Sequence, residues 1–192
     1  MNKILIGTHN KGKFKEIAYL ISKKYKKISP ITLKIKSPKE TGSTFSANSK
    51  IKVNFFSKFV NFPVISDDSG LCIKALDNRP GVHSARLAKK KGSFFKAMTF
   101  ILNKLKKKKN RAAFFICNLS YQDKKGKIFS VEGKIKGKIS NRIVGKKGFG
   151  YDPIFIPNKH SMTFGQMSKT KKIKMDHRFE AFKKLKKKIR IL

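Results

Sequence analysis

A single mixed α/β domain is predicted, and three observations predict it. The chain has 192 residues, 39% of them apolar, so one domain of this length would bury roughly 70% of its unfolded surface. Short apolar runs that read as strands alternate with segments whose apolar residues recur at helical spacing. No internal repeat, linker or apolar run of the ~18 residues a membrane span needs interrupts them. The expected domain therefore covers residues 1–192.

Lys3-Ile4-Leu5-Ile6-Gly7 reads as a short buried strand. It turns polar at Thr8-His9-Asn10, too early for the apolar region of a secretory leader. Phe14, Ile17, Ala18 and Ile21 then repeat at helical spacing. Ile31 to Lys36 alternates as a half-buried strand that Ser37-Pro38 ends. A helix follows from about Thr44 to Phe59, with Phe45, Ile51 or Lys52, Phe55 and Phe59 near one face. Pro63 to Ser66 is a strand leading into Asp67-Asp68-Ser69-Gly70, and Leu71 to Leu76 resumes extended structure. Ser93 caps a helix to about Leu105. Arg111 to Tyr121 and Lys127 to Ile135 read as a hairpin about a polar turn. Gly145 to Gly150 is a glycine-rich loop, and Phe179, Phe182, Leu185 and Ile189 stripe a closing helix.

Charge dominates the composition: 42 Lys and 6 Arg against ten carboxylates give a formal net charge of +38. Nucleic-acid readers favour arginine, whose planar fork makes bidentate and stacked contacts. Here arginine is scarce, the lysines fall in short scattered runs, and no RNA-recognition octamer or zinc finger is present. Solvated surface is the expectation, with nucleic-acid binding at most non-specific. Cys72 and Cys117 are far apart in apolar surroundings. They read as reduced core thiols of a cytoplasmic protein.

Four segments have the residue types for chemistry. Gly7-Thr8-His9-Asn10-Lys11-Gly12-Lys13 has phosphate-loop spacing, but Phe14 stands where a metal-binding hydroxyl belongs, which excludes a standard P-loop NTPase. Backbone amides at a helix start, with Thr8, Asn10 and Lys13, still suit a polyphosphate. An ordinary strand–turn–helix suits the segment equally. Asp67-Asp68 places adjacent carboxylates at a predicted strand end, where a hard cation or an Asx turn would explain them. Gly148-Phe149-Gly150-Tyr151-Asp152-Pro153 either presents a ring and an acceptor to a flat ligand or is a turn packed by core aromatics. Lys172 with His177-Arg178 is a ligand contact or a basic surface patch.

Taken together and in order, these blocks resemble the inosine triphosphate pyrophosphatase (Ham1-like) family. The resemblance runs from Ile4 to about Lys184. It rests on Thr8-x-Asn10-x-x-Lys13-x-x-Glu16, Glu40-x-Gly42-x-Thr44-Phe45, Asp67-Asp68-Ser69-Gly70-Leu71, and Pro80-Gly81-x-x-Ser84-Ala85-Arg86. Gly148 to Phe155, Thr163-Phe164-Gly165 and His177-Arg178 complete it. The resemblance implies an elongated mixed β-sheet with flanking helices, two lobes with a central nucleotide cleft, and a homodimer. It implies Mg²⁺-dependent hydrolysis of dITP, ITP and XTP to the monophosphate and pyrophosphate, clearing the nucleotide pool of bases unfit for DNA and RNA. Thr8, His9, Asn10, Lys11, Gly12 and Lys13 would hold the triphosphate, and Asp68 would be general base and metal ligand, with Glu40 as second metal carboxylate. Ser69, Phe149, Gly150, Tyr151, Asp152, Lys172, His177 and Arg178 would contact the nucleotide.

Two positions depart from the family pattern. Ala47 stands where a glutamate is usual before Asn48, and Asp176 stands where a serine precedes His-Arg. The competing functions are a basic nucleic-acid-binding protein with a vestigial nucleotide pocket, and a related pyrophosphatase for modified pyrimidine nucleotides.

Overall fold

The computed structural model describes residues 2–189; Met1 and residues 190–192 of the expected domain lie outside the described residues. Six strands form one mixed sheet in the order β2-β1-β3-β4-β5-β6. They are β1 (Asn2–Ile6), β2 (Tyr25–Ile28), β3 (Val64–Ile73), β4 (Ala112–Gln122), β5 (Ile128–Ile139) and β6 (Phe155–Pro157). β1 pairs parallel with β2 and β3, while β5 and β6 are antiparallel. The helices are α1 (Lys11–Leu20), α2 (Phe45–Ser57), α3 (Ser84–Lys90), α4 (Phe94–Lys104), α5 (Lys169–Ile173) and α6 (His177–Lys188). The expected α/β class with a mixed sheet and flanking helices is what forms. No helix among the described residues is long and apolar enough to cross a membrane.

The chain divides into two compact units, and it passes between them at four peptide bonds, two of which are Asp68–Ser69 and His177–Arg178. Unit 1 holds the residues up to Asp68, Cys117–Gly133, and those from Arg178 onward. One core cluster in it joins Ile4 and Ile6 of β1, Ile17 of α1, Leu119 of β4, and Phe182 and Leu185 of α6. A second joins Leu5, Val53, Phe56 and Val64. Unit 2 holds Ser69–Ile116 and Lys134–His177, around Leu71, Ile73, Ile101, Phe115, Phe155 and Phe164. Each such buried aliphatic or aromatic side chain contributes ~1.5–3 kcal/mol relative to exposure. Cys72 and Cys117 are free and buried, as expected.

Three local readings need correction. Ile31 to Lys36 is not a strand but a turn, with Lys34 at φ 55° and the Ile35 amide bonded to the Pro30 carbonyl. Its alternation is empty of burial, since Ile31 and Leu33 are exposed and only Ile35 is covered. The strand next to β1 is Tyr25–Ile28 instead, hidden in a lysine-rich stretch because it sits at the sheet edge. On α2 the buried positions are Phe45, Asn48, Ser49, Lys52, Val53 and Phe56, while Phe59 lies beyond the helix and is 54% exposed. Asp67 to Gly70 is no turn: β3 runs without a break from Val64 to Ile73.

Candidate functional site

In unit 1 the site begins where β1 ends. A side chain at Gly7 would collide with Ser66 Oγ and the Phe56 ring, so glycine is needed for β1 to pass this close to β3 and α2. The next residues fold back into a helix start. Asn10 is the N-cap of α1, its side-chain oxygen accepting from the Lys13 amide at 3.0 Å, which is worth ~0.5–2 kcal/mol. Thr8 Oγ1 accepts from the Asn10 amide at 3.2 Å. Lys11 and Gly12 follow in the first turn, where a helix leaves amides without intrahelical partners. Both ring nitrogens of His9 are occupied, by the Ile35 carbonyl at 2.9 Å and Ser37 Oγ at 2.5 Å, and so tie down the turn before Glu40.

Lys13 reaches from α1 to Asp67, with Nζ 3.1 Å from Oδ2. Arg178, at the start of α6, lies 3.6 Å from the same oxygen through Nε and donates through Nη1 to Glu16 at 3.0 Å. All four groups are buried or nearly so. Burial alone would push the Asp67 carboxyl up, but Lys13, Arg178 and Lys52 outweigh it and hold it far below the usual carboxylate range. Asp67 is thus a permanent anion that anchors cations.

Asp68 behaves oppositely. Its Oδ2 accepts from Asn48 Nδ2 at 3.0 Å. Burial pushes its pKa up and Glu40 adds to the rise, and together they exceed the pull of Lys13, Lys52 and the Asn48 bond. Successive strand residues point to opposite faces, so adjacent carboxylates on β3 avoid facing each other. Two carboxyl groups whose environments drive their pKa values apart are the arrangement general acid–base chemistry uses.

Lys52 is the buried cation at this point, 2.9 Å from Glu40 Oε1. Desolvation disfavours its charge, but Asp67, Asp68 and Glu40 together hold its pKa above the ordinary lysine value. Asn48, one turn earlier on α2, also accepts from the Gly42 amide at 2.8 Å and so ties the Glu40 loop to Asp68. Thr44 caps α2 by accepting from the Ala47 amide at 3.1 Å. Among the described residues no three His, Cys, Asp or Glu side chains group as a metal cage. Glu40 and Asp68 fit Mg²⁺ in another way, since that ion needs only one or two carboxylates when substrate phosphates complete its shell.

In unit 2 the glycine-rich loop is built around Asp152. Gly148, at φ 75°, has no room for a side chain beside that carboxylate. Asp152 Oδ2 accepts from the Phe149 amide at 2.8 Å and from Lys172 Nζ at 2.7 Å. Lys172 Nζ also lies 4.6 Å from the Phe149 ring centre and 4.0 Å from Asp176. Tyr151 is a packing residue: its hydroxyl donates to the Ser84 carbonyl at 2.9 Å, burial raises its pKa, and Phe94 meets its ring edge-on. The His177 ring stacks on Phe115, 4.8 Å away and 13° from parallel. Ser69 is half-buried in β3, and Gly150 holds φ at 65°.

The residues named from sequence therefore fall into two networks. Thr8 to Lys13, Glu40, Asp68 and Arg178 belong to unit 1, while Ser69, Phe149 to Asp152, Lys172 and His177 belong to unit 2. The basic surface patch is excluded for Lys172, His177 and Arg178, which are 3%, 3% and 2% exposed. Sequence reasoning gave no site role to Lys52, Asn48 or Glu16. A lysine four residues after an asparagine on the apolar side of a helix was the available signal.

The Ham1 family model matches residues 4–188. The chain is 38% identical to the dITP/XTP pyrophosphatase of Caulobacter vibrioides over 96% of both chains. It is 36% identical to that of Zymomonas mobilis over 95% of this chain and 90% of the other. The solved Ham1 protein of Staphylococcus aureus superposes with a TM-score of 0.86 at 34% identity, covering 98% of both chains. That of Coxiella burnetii gives 0.87 at 31% identity over 99% of both. By sequence and by fold, this chain belongs to the Ham1 family.

Proposed function

We propose that the protein is a Mg²⁺-dependent nucleoside triphosphate pyrophosphohydrolase that takes dITP, ITP and XTP to the monophosphate and pyrophosphate. The observation that carries the chemistry is the divergence of Asp67 and Asp68 on β3. The substrate class follows from the curated relatives, which are named dITP/XTP pyrophosphatases. The whole chain acts as one pyrophosphatase domain.

In this reading the amides and side chains of residues 8 to 13 take the triphosphate, with Lys13 supplying charge and Asp67 holding Lys13 in place. Asp68 accepts the proton of the attacking water, a role its raised pKa suits. Glu40 and Asp68 would hold Mg²⁺. When bound, the ion would neutralise phosphate charge and favour departure of pyrophosphate. Lys52 offsets the charge of the buried Asp68 and the half-buried Glu40 until then. Ser69, Phe149, Gly150, Asp152, Lys172, His177 and Arg178 contact the nucleotide, with Tyr151 supporting the loop by packing and His177 and Arg178 supplying donors to a purine O6.

Inosine and xanthosine present an O6 acceptor beside an N1–H donor, and adenosine presents the reverse. Buried donors left unpaired by the wrong base support up to 10⁴–10⁵-fold rejection. Product analysis over a panel of triphosphates with Mg²⁺ tests the reading. Pyrophosphate is the expected product, with kcat/KM for ITP or XTP well above GTP, and GTP at or above ATP. Orthophosphate with a nucleoside diphosphate appearing first would overturn it, as would equal rates on ATP and ITP. The reading extends to a homodimer in the cytoplasm, where free buried cysteines such as Cys72 and Cys117 stay reduced.

A further inference from the structure

Residues 29–44 join β2 to α2 without forming a helix or strand, and they carry Glu40 to the site. So long an irregular segment holds a carboxylate in place where other groups fasten it. Its first fastening is Ile35, buried with Leu5, Val53 and Phe56. Its last is Gly42, whose amide donates to Asn48 Oδ1 at 2.8 Å. Between these two points Lys36, Ser37, Lys39 and Thr41 are exposed. Two side chains from elsewhere reach this stretch: Lys52, 2.9 Å from Glu40 Oε1, and His9, bonded to Ser37.

His9 belongs to the turn assigned to the triphosphate, yet its ring is engaged with the Glu40 segment. Nε2 lies 2.9 Å from the Ile35 carbonyl, which can only accept, so Nε2 carries the hydrogen. Nδ1 is then the acceptor for the Ser37 hydroxyl. The ring also sits beside that of Phe56, with centroids 6.1 Å apart, and Phe56 follows Lys52 by one turn of α2. These contacts close a circuit. It runs from His9 to Ser37, along the chain to Glu40, across to Lys52, and along α2 to Phe56 and back to His9. With both ring nitrogens bonded inside the protein, the side chain has no polar atom left for a phosphate.

We propose that His9 is a positioning residue that couples the triphosphate turn to Glu40, holding that carboxylate where it can take the metal ion. The proposal rests on the pyrophosphatase reading for the role of Glu40, and it takes the His9 side chain out of the phosphate contacts. Two measurements on the full chain need no turnover. Hydrogen exchange without metal or nucleotide, read by mass spectrometry, should quicken over residues 36–41 in His9→Ala and stay unchanged in β3 and β4. Mn²⁺ binding, read by electron paramagnetic resonance, should weaken roughly tenfold, at the low end of what losing a support of a metal ligand costs. His9→Gln, whose amide can still donate to the Ile35 carbonyl, should recover most of that affinity, and Ser37→Ala should lose part of it. In a Glu40→Gln background, His9→Ala should weaken Mn²⁺ no further, as expected of two residues acting through one contact. In ITP hydrolysis, His9→Ala should raise the Mg²⁺ requirement and leave the KM for ITP at saturating Mg²⁺ unchanged. Unchanged Mn²⁺ affinity in His9→Ala would overturn the proposal, even with faster exchange. A raised KM for ITP at saturating Mg²⁺ would overturn it too, by making His9 a phosphate contact. A wild-type chain that hydrolyses no ITP would defeat the pyrophosphatase reading, while the loss of Mn²⁺ affinity in His9→Ala would still uphold the coupling to Glu40.

Discussion

Each compact unit buries a lysine against carboxylates, and the two pairs are built for different ends. Lys172 and Asp152 are both about 3% exposed, and Asp152 Oδ2 closes its own loop by accepting from the Phe149 amide. That pair shapes a surface. In unit 1, Lys52 pairs with a Glu40 that is one-third exposed and also faces Asp67 and Asp68. Burial, with Glu40 adding to it, outweighs the pull of Lys13 and Lys52 and leaves Asp68 protonating more readily than an ordinary aspartate. Six of the ten carboxylates, Glu16, Glu40, Asp67, Asp68, Asp152 and Asp176, sit in these two networks. In a chain of net charge +38, acid is spent where cations must be held and a proton moved.

The sharpest way to break this comparison is to neutralise the two neighbours on β3. Asp68→Asn should cut turnover by roughly 10²–10⁴-fold while Tm barely moves, because Asn48 and the strand pairing persist. Asp67→Asn should do the reverse. It leaves Lys13 and Arg178 without their shared anion, costing ~3–5 kcal/mol in urea unfolding, with a smaller loss of turnover. Near-wild-type turnover in Asp68→Asn removes it from the chemistry.

Lys172→Met comes next. It strands Asp152 and Asp176 as buried carboxylates, so a stability loss of ~3–5 kcal/mol is expected, together with a raised KM as the loop at Phe149 loosens. Glu40→Gln should leave stability nearly unchanged and raise the Mg²⁺ concentration needed for half-maximal rate. An unaltered metal titration would exclude Glu40 from the site.

A pH series sharpens the same contrast with a smaller effect. The Asp67 pKa is depressed in the folded protein, so its stabilisation is complete above its unfolded value of 3.8 and is lost as pH falls below it. Asp68 is raised, so its ionisation costs stability near neutral pH and protonation relieves that cost. Urea unfolding in the presence of EDTA should therefore show Asp67→Asn flattening the acid-side loss below about pH 4. The least effect concerns the lysines: binding to duplex DNA should be non-specific and fall steeply with salt, measured by fluorescence anisotropy from 50 to 200 mM.

Much of this was readable from residue order. β1, α1, α4 and the β4–β5 pair follow from periodicity, and Asn10, Thr44 and Ser93 are caps of the kind that sequence alone announces. The strand Tyr25–Ile28 was not readable, because an edge strand with one buried residue has no pattern to show. Asp67 to Gly70 misled for a different reason. Asp-Ser-Gly is turn chemistry locally, and only Lys13, Lys52 and Arg178, brought in from α1, α2 and α6, make two aspartates tolerable within a strand. Tyr151 and Asp152 were legible as important residues, but their partners Ser84 and Lys172 lie far away in sequence.

The order in which the chain visits its two units has a consequence for synthesis. Ile4 and Ile6 emerge early from the ribosome, yet they pack with Phe182 and Leu185, which emerge late. Unit 1 cannot close until α6 has been made, and throughout that wait its apolar strands have no finished core. Lysines are distributed along the whole length, and like charges so placed oppose association of unfinished chains through those strands.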